Sequence, residues 1–266
     1  MKLAPFDRCR TGRTPYVQYA GADSARPGTG ASENLAWTRT HAGLLLFNSG
    51  DLDGAQREYE NALQASPAYV PARAGQARIA PAHGDLAGAS ALYEDVTRVM
   101  PLPEYVIALG DSYARAGRAA DAARAYDLVR AIAQLQRANG VDIDLEMALF
   151  EADHVGRNGS AADAGVSIVA QARQAYANRP TIYGADVLGW ALYQSGQADE
   201  AKQWASKALG LNTQDALLWF HAGMIDARLG NRALAREELA HALQLNPYFS
   251  LLWSDAAREA LTLVQE

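Results

Sequence analysis

From about residue 32 onward, small and apolar residues return at helical spacing, and the pattern is broken at intervals by a glycine followed by a polar residue. The breaks fall at Gly50, Gly84, Gly117, Gly156, Gly196 and Gly230, with spacings of 34, 33, 39, 40 and 34. Five residues after five of these glycines comes an alanine: Ala55, Ala89, Ala122, Ala201 and Ala235. Four residues later stands a larger side chain, such as Tyr59, Tyr93 or Tyr126, and three further on another alanine, such as Ala62, Ala208 or Ala242. These positions line one stripe of a helix that starts just after the glycine.

Each glycine reads as the left-handed end of a preceding helix, since glycine enters that conformation without steric cost. The next residue, Asp51, Asp85 or Asn231, then suits the start of the following helix. Seven residues before the turn lies a small residue: Gly43, Ala77, Gly110, Gly189 or Gly223. A small residue there lets two antiparallel helices approach closely. Pro67, Pro101, Pro180 and Pro247 end the second helices and reset the chain. The pattern predicts helix pairs throughout and no sheet.

A pair of about 34 residues with this order of small, aromatic and proline positions resembles the tetratricopeptide repeat. Leu109, Gly110 and Tyr113, Ala122 with Tyr126, and Trp219, Gly223, Ala235, Ala242 and Pro247 carry the resemblance. It implies an all-α, right-handed α-solenoid superhelix of six helix pairs. The repeats are expected near 36–69, 70–102, 103–141, 142–181, 182–215 and 216–249 within an array over 32–249. The fourth departs most, with Ile168 and Ala172 where alanine and a bulky residue are expected.

The periodic pattern continues over residues 119–140, which predicts a long second helix in the third unit, stopped by Gly140. The extra residues of the fourth unit fall in a glycine-rich loop over 156–163, where Asn158-Gly159-Ser160 matches a glycosylation sequon by chance. Residues 250–266 form a capping helix, which an open-ended stack needs. Residues 1–31, with Pro5, Pro15 and Pro27, break the pattern and are expected to be a flexible or irregular arm, the alternative being a degenerate preceding repeat or the edge of a longer array.

Composition narrows the functional classes. The chain has 266 residues, 49% of them hydrophobic, and a formal charge of −6, which gives no basic field for nucleic acid. Lysine occurs three times against 21 arginines, a bias that suggests a bacterial genome rich in G and C. Cys9 is the only cysteine, and no run of 18 apolar residues occurs, so the expected setting is cytoplasmic, without membrane contact. Motifs for phosphate binding, acyl transfer and zinc are missing, so no catalytic residue, metal or cofactor is expected. The richest polar cluster is Glu151, Asp153 and His154, which reads as a solvated helix end.

The resemblance implies a concave face lined by the first helix of each pair. That face would present Arg78 in the second unit and Glu104, Ile107, Asp111 and Arg115 in the third. In the last three units it would present Glu146, Phe150, Asp186, Trp190, Tyr193, Phe220 and His221, and these seven are the expected ligand-binding residues. Glu146 and Asp186 occupy the same position in successive units, and solvent-facing carboxylates beside Trp and Tyr suit a basic or amide-rich peptide. The fifth positions, Thr40, Ala74, Ile107, Glu146, Asp186 and Phe220, lack the basic residues with which chaperone-type members of the family grip a C-terminal carboxylate. The expected role is a noncatalytic protein- or peptide-binding scaffold; the alternative is a small-molecule sensor or an accessory subunit of an enzyme complex.

Overall fold

The computed structural model describes residues 29–154 and 161–265, which are helical with no strand among them. The helices are α1 (Thr29–Asn48), α2 (Leu52–Ala65), α3 (Val70–Ile79), α4 (Leu86–Val99), α5 (Pro103–Arg115), α6 (Ala119–Ala138), α7 (Asp144–Asp153), α8 (Ala161–Asn178), α9 (Ile182–Gln194), α10 (Ala198–Ala208), α11 (Ala216–Leu229), α12 (Arg232–Leu245) and α13 (Ser254–Gln265). Each odd-numbered helix up to α11 packs on the even-numbered helix that follows it, and α13 lies on α11 and α12. None of the described helices is long and apolar enough to cross a membrane.

The expected arm over 1–31 falls outside the described residues except for Thr29–Ala31, which open α1. Gly156, the Asn158 sequon and most of the expected loop over 156–163 also lie outside them, while Ala161 begins α8. The remaining turn glycines, Gly50, Gly84, Gly117, Gly196 and Gly230, have φ between 75° and 81°, as does Gly140 after the long α6. Asp51 and Asp85 accept hydrogen bonds from the backbone N–H groups of Gly54 and Gly88 at 2.8 Å, satisfying donors that a helix start leaves open. Asn231 opens α12 by position, but its side chain donates to Asp226 instead.

The small residues explain the close pairing. Tyr59 is buried against Gly43 and Gly75, and a Cβ on Gly43 would come within 2.7 Å of its ring. Tyr126 fills the same role over Gly110. The larger core lies around α7 to α12 with Leu188, Trp190, Phe220, Ile225 and Leu239, and a second joins α3 to α7 through Val106, Tyr126, Val129 and Phe150. Each large apolar side chain so buried contributes about 1.5–3 kcal/mol.

Beyond α12 the chain turns across the inside of the stack. Asn246 donates through Nδ2 to the Phe47 carbonyl at 2.9 Å, joining the last pair to the first. The Ser250 hydroxyl accepts from the N–H groups of Leu252 and Trp253, and the Ser254 hydroxyl accepts from the Ser250 N–H. Residues 250–253 are therefore a capped turn, and α13 starts four residues after the expected 250.

Candidate functional site

The first helices α3 and α5, with residues 248–258, line an open cavity of about 630 Å³. The inner positions of the second and third units, Arg78, Glu104, Ile107, Asp111 and Arg115, all line it. The Arg78 guanidinium lies close to Tyr93 and 5.7 Å from the centre of the Phe47 ring. Partial desolvation raises the Glu104 carboxyl above its ordinary value, and the charge of Arg78 holds it partly down. Among the described residues neither Arg78 nor Glu104 forms an ion pair, so each has capacity for a ligand group.

The rest of the wall is internally occupied. Asp111 accepts from the Tyr126 hydroxyl and faces His154 Nε2, both at 2.9 Å. Burial works to lower the His154 imidazole, but the Asp111 carboxylate overcomes it and holds the group above its ordinary value. Arg115 donates to the Leu251 carbonyl at 2.9 Å and to Asp255 at 2.5 Å, clasping the C-terminal segment to α5.

None of the seven expected ligand-binding residues lines this cavity. Glu146 is exposed and engaged by Arg179 at 3.0 Å. Asp186 differs from expectation more sharply: it is only 4% exposed, and both its oxygens face His221 Nδ1 at 3.0 Å. The reason is packing, because Asp186 sits on α9 where α11 closes over it and brings His221 as its partner. Phe150, Trp190, Phe220 and His221 are buried as well, at 3% exposure or less. Trp190 stacks between Tyr193 and His221, with centroids at 5.0 and 4.1 Å. Six of the seven thus belong to an aromatic and polar wall that runs from α7 through α9 to α11, while Glu146 stands at its edge.

Glu151, Asp153 and His154 do not form a solvated helix end. Glu151 pairs with Arg130 at 2.9 Å, His154 faces Asp111, and Asp153 accepts the indole N–H groups of Trp190 and Trp253. No group of three His, Cys, Asp or Glu able to hold a metal occurs among the described residues. The C-terminal side of the site does not follow from the repeat pattern. Tyr248 and Phe249 line the cavity and Trp253 meets the wall, and three aromatics in the six positions after Pro247 are the signal in the sequence that points to them.

Helix pairs stacked around an inner cavity define a helical-repeat solenoid. A family profile described as tetratricopeptide repeat matches residues 46–109, and another of the same description matches 186–215 and 216–249. The chain is a tetratricopeptide-repeat protein. Among solved structures, a tetratricopeptide repeat protein from Parabacteroides merdae matches with TM-score 0.54 at 15% identity, covering 87% of this chain and 84% of the other. A chain of the APC/C hetero-tetramer Cut9-Hcn1 matches with TM-score 0.53 at 16% identity, covering 90% of this chain and 45% of the other. At these identities the likeness shows the fold. A comparison with curated proteins found no match.

Proposed function

We propose that the chain is a noncatalytic protein- or peptide-binding scaffold that receives a peptide segment in the inner cavity. The observation that carries this reading is the pairing of an open, polar cavity with two charged groups, Arg78 and Glu104, on adjacent first helices, neither in an ion pair among the described residues. A volume of about 630 Å³ accommodates a few residues and lies within the range of ligand pockets, about 300–1,000 Å³. The expected preference for basic or amide-rich segments now rests on Glu104, because Glu146 and Asp186 are committed to Arg179 and His221. Arg78 adds a site for a carboxylate, so the preferred segment carries both kinds of group.

The Asn246–Phe47 and Arg115–Asp255 contacts, which tie the C-terminal segment along one side of the cavity, favour one second reading, a sensor for a small polar molecule of the same mixed charge. Selection of phage-displayed random peptides on the purified protein separates the two. The scaffold reading expects enriched peptides whose binding is lost in Ile107→Trp, which fills the cavity, while the thermal midpoint stays near that of the wild type. Enriched peptides that bind the variant equally well would refute the cavity as the site, and the absence of any enrichment would favour the sensor.

A further inference from the structure

The aromatic wall of α7, α9 and α11 has an occupant, which is the chain's own segment after Pro247. Phe249 lies 5.3 Å from Phe220, and Trp253 meets Trp190 edge-on at 5.4 Å while stacking over Phe220 at 6.0 Å. Trp253 also donates its indole N–H to Asp153 Oδ1 at 2.8 Å, the oxygen that receives Trp190 at 2.9 Å. At the other side of the segment, Arg115 holds the Leu251 carbonyl and the Asp255 carboxylate. An aromatic residue, an indole four positions later and a carboxylate two beyond that are each received by a separate group.

This recognition exceeds what a capping helix requires. The seam of α13 against the stack is made by Ala257, Ala260, Leu261 and Val264. Phe249 and Trp253 precede that helix, and Asp255 faces Arg115 instead. Residues 250–253 of the segment are a turn, and Ser254 and Asp255 are the first residues of α13, so the segment leaves the wall by releasing that turn together with the start of the helix. When it leaves, Asp153 loses one of its two indole donors, Arg115 loses its carboxylate, and Phe220 and Trp190 lose their contacts with Trp253. An incoming segment with the same groups restores each contact, whereas an aliphatic or wholly basic one restores none.

We infer that the wall of α7, α9 and α11 is a receptor for a partner's peptide segment bearing an aromatic residue, an indole and a carboxylate in this order, and that residues 249–255 occupy it as an internal competitor. The inference rests on the peptide-scaffold reading and extends its site from the cavity to the adjoining wall. Because the internal segment is tethered, it acts at a high effective concentration, about millimolar for short connections. An untethered peptide of the same sequence therefore binds weakly to the wild type and more tightly once the internal indole is gone.

The test uses the full chain and a fluorescein-labelled synthetic peptide of residues 246–258, followed by fluorescence anisotropy. Trp253→Ala is expected to bind the peptide at least about tenfold more tightly than the wild type. The same peptide with alanine in place of its tryptophan is expected not to bind. A Trp253→Ala chain that melts cooperatively yet binds the peptide no better than the wild type overturns the inference. If Trp253→Ala fails to fold, Asp255→Ala, which releases the Arg115 clasp alone, serves in the same comparison, and equal binding to that variant and the wild type overturns it. Ile107-dependent binding of selected peptides is measured alongside. If that binding persists without any gain in the variants, the internal-competitor inference fails alone; if both are missing, the scaffold reading fails with it.

Discussion

Glu238 on α12 is 7% exposed and lies beside two other charges, Asp226 of α11 and Lys202 of α10. Lys202 contacts Asp226 and stands 3.8 Å from Glu238, and Asn231 donates to the same Asp226. Desolvation pushes the Glu238 carboxyl up to about 8, with the hydrogen bond and charge of Asp226 acting in the same direction. Its folded pKa is above the ordinary value of 4.5, so its stabilising contribution is full below that value and lost as pH rises through about 8. Burial works to raise Asp226, yet the hydrogen bonds of Lys202 and Asn231 hold it below its ordinary value, and its contribution is lost only when pH falls through its folded value. The thermal midpoint is therefore expected to decline from about pH 5 to 9, and each 1 kcal/mol lost lowers it by about 2–4 °C. Glu238→Gln should flatten that decline. An equally steep decline in the variant would show that another group titrates. Nothing in the local sequence marks Glu238, because its neighbours come from α10 and α11. Asp186 departs from expectation for the same reason: its position along α9 is legible, but its burial depends on the placement of His221 across the next pair.

Among the helices and turns, the sequence is most informative where the backbone itself imposes the choice. Left-handed turns select glycine, and the described ones fall on Gly50, Gly84, Gly117, Gly140, Gly196 and Gly230, with Asn212 as the one non-glycine among the described residues. The long α6 is legible because its small-residue stripe runs on to Gly140. Close helix contact is legible in Gly110, where a Cβ would run into the Tyr126 ring. Tyr126 cannot swing aside cheaply, since its hydroxyl bonds Asp111 and its ring packs on Phe150 at 5.7 Å. Gly110→Ala is thus expected to destabilise the chain by about 1–3 kcal/mol. Urea unfolding with hydrogen exchange should locate the loss first in α5 and α6, because each repeat leans mainly on its neighbours. A variant as stable as the wild type would mean that the two helices stand further apart. The turn over residues 250–253 is hidden in the sequence because Leu251 and Leu252 continue the apolar spacing of α13, and only the Ser250 and Ser254 bonds separate the two.

For the molecule as a whole, function follows from where the C-terminal segment goes. Periodicity identifies repeats and their inner helices, so the cavity residues Arg78, Glu104, Ile107, Asp111 and Arg115 are readable as an inner face. Periodicity is blind to a contact between Asn246 and Phe47, 199 positions apart, and to Arg115 gripping Asp255. Those contacts hold the C-terminal segment along the inner space, and its Phe249 and Trp253 cover the aromatic wall, so the aromatics of α9 and α11 are buried while the quieter positions of α3 and α5 keep access to it. Whether a peptide is received on this inner surface is read by photocrosslinking: a selected peptide carrying a benzophenone group is irradiated with the protein, and the attachment points are mapped by mass spectrometry. Crosslinks are predicted on Arg78 of α3, on residues 104–115 of α5 and on 248–258, and they should disappear in Ile107→Trp. Crosslinks confined to the outer helices α2, α6 and α10 would place the partner on the convex face and overturn the inner site.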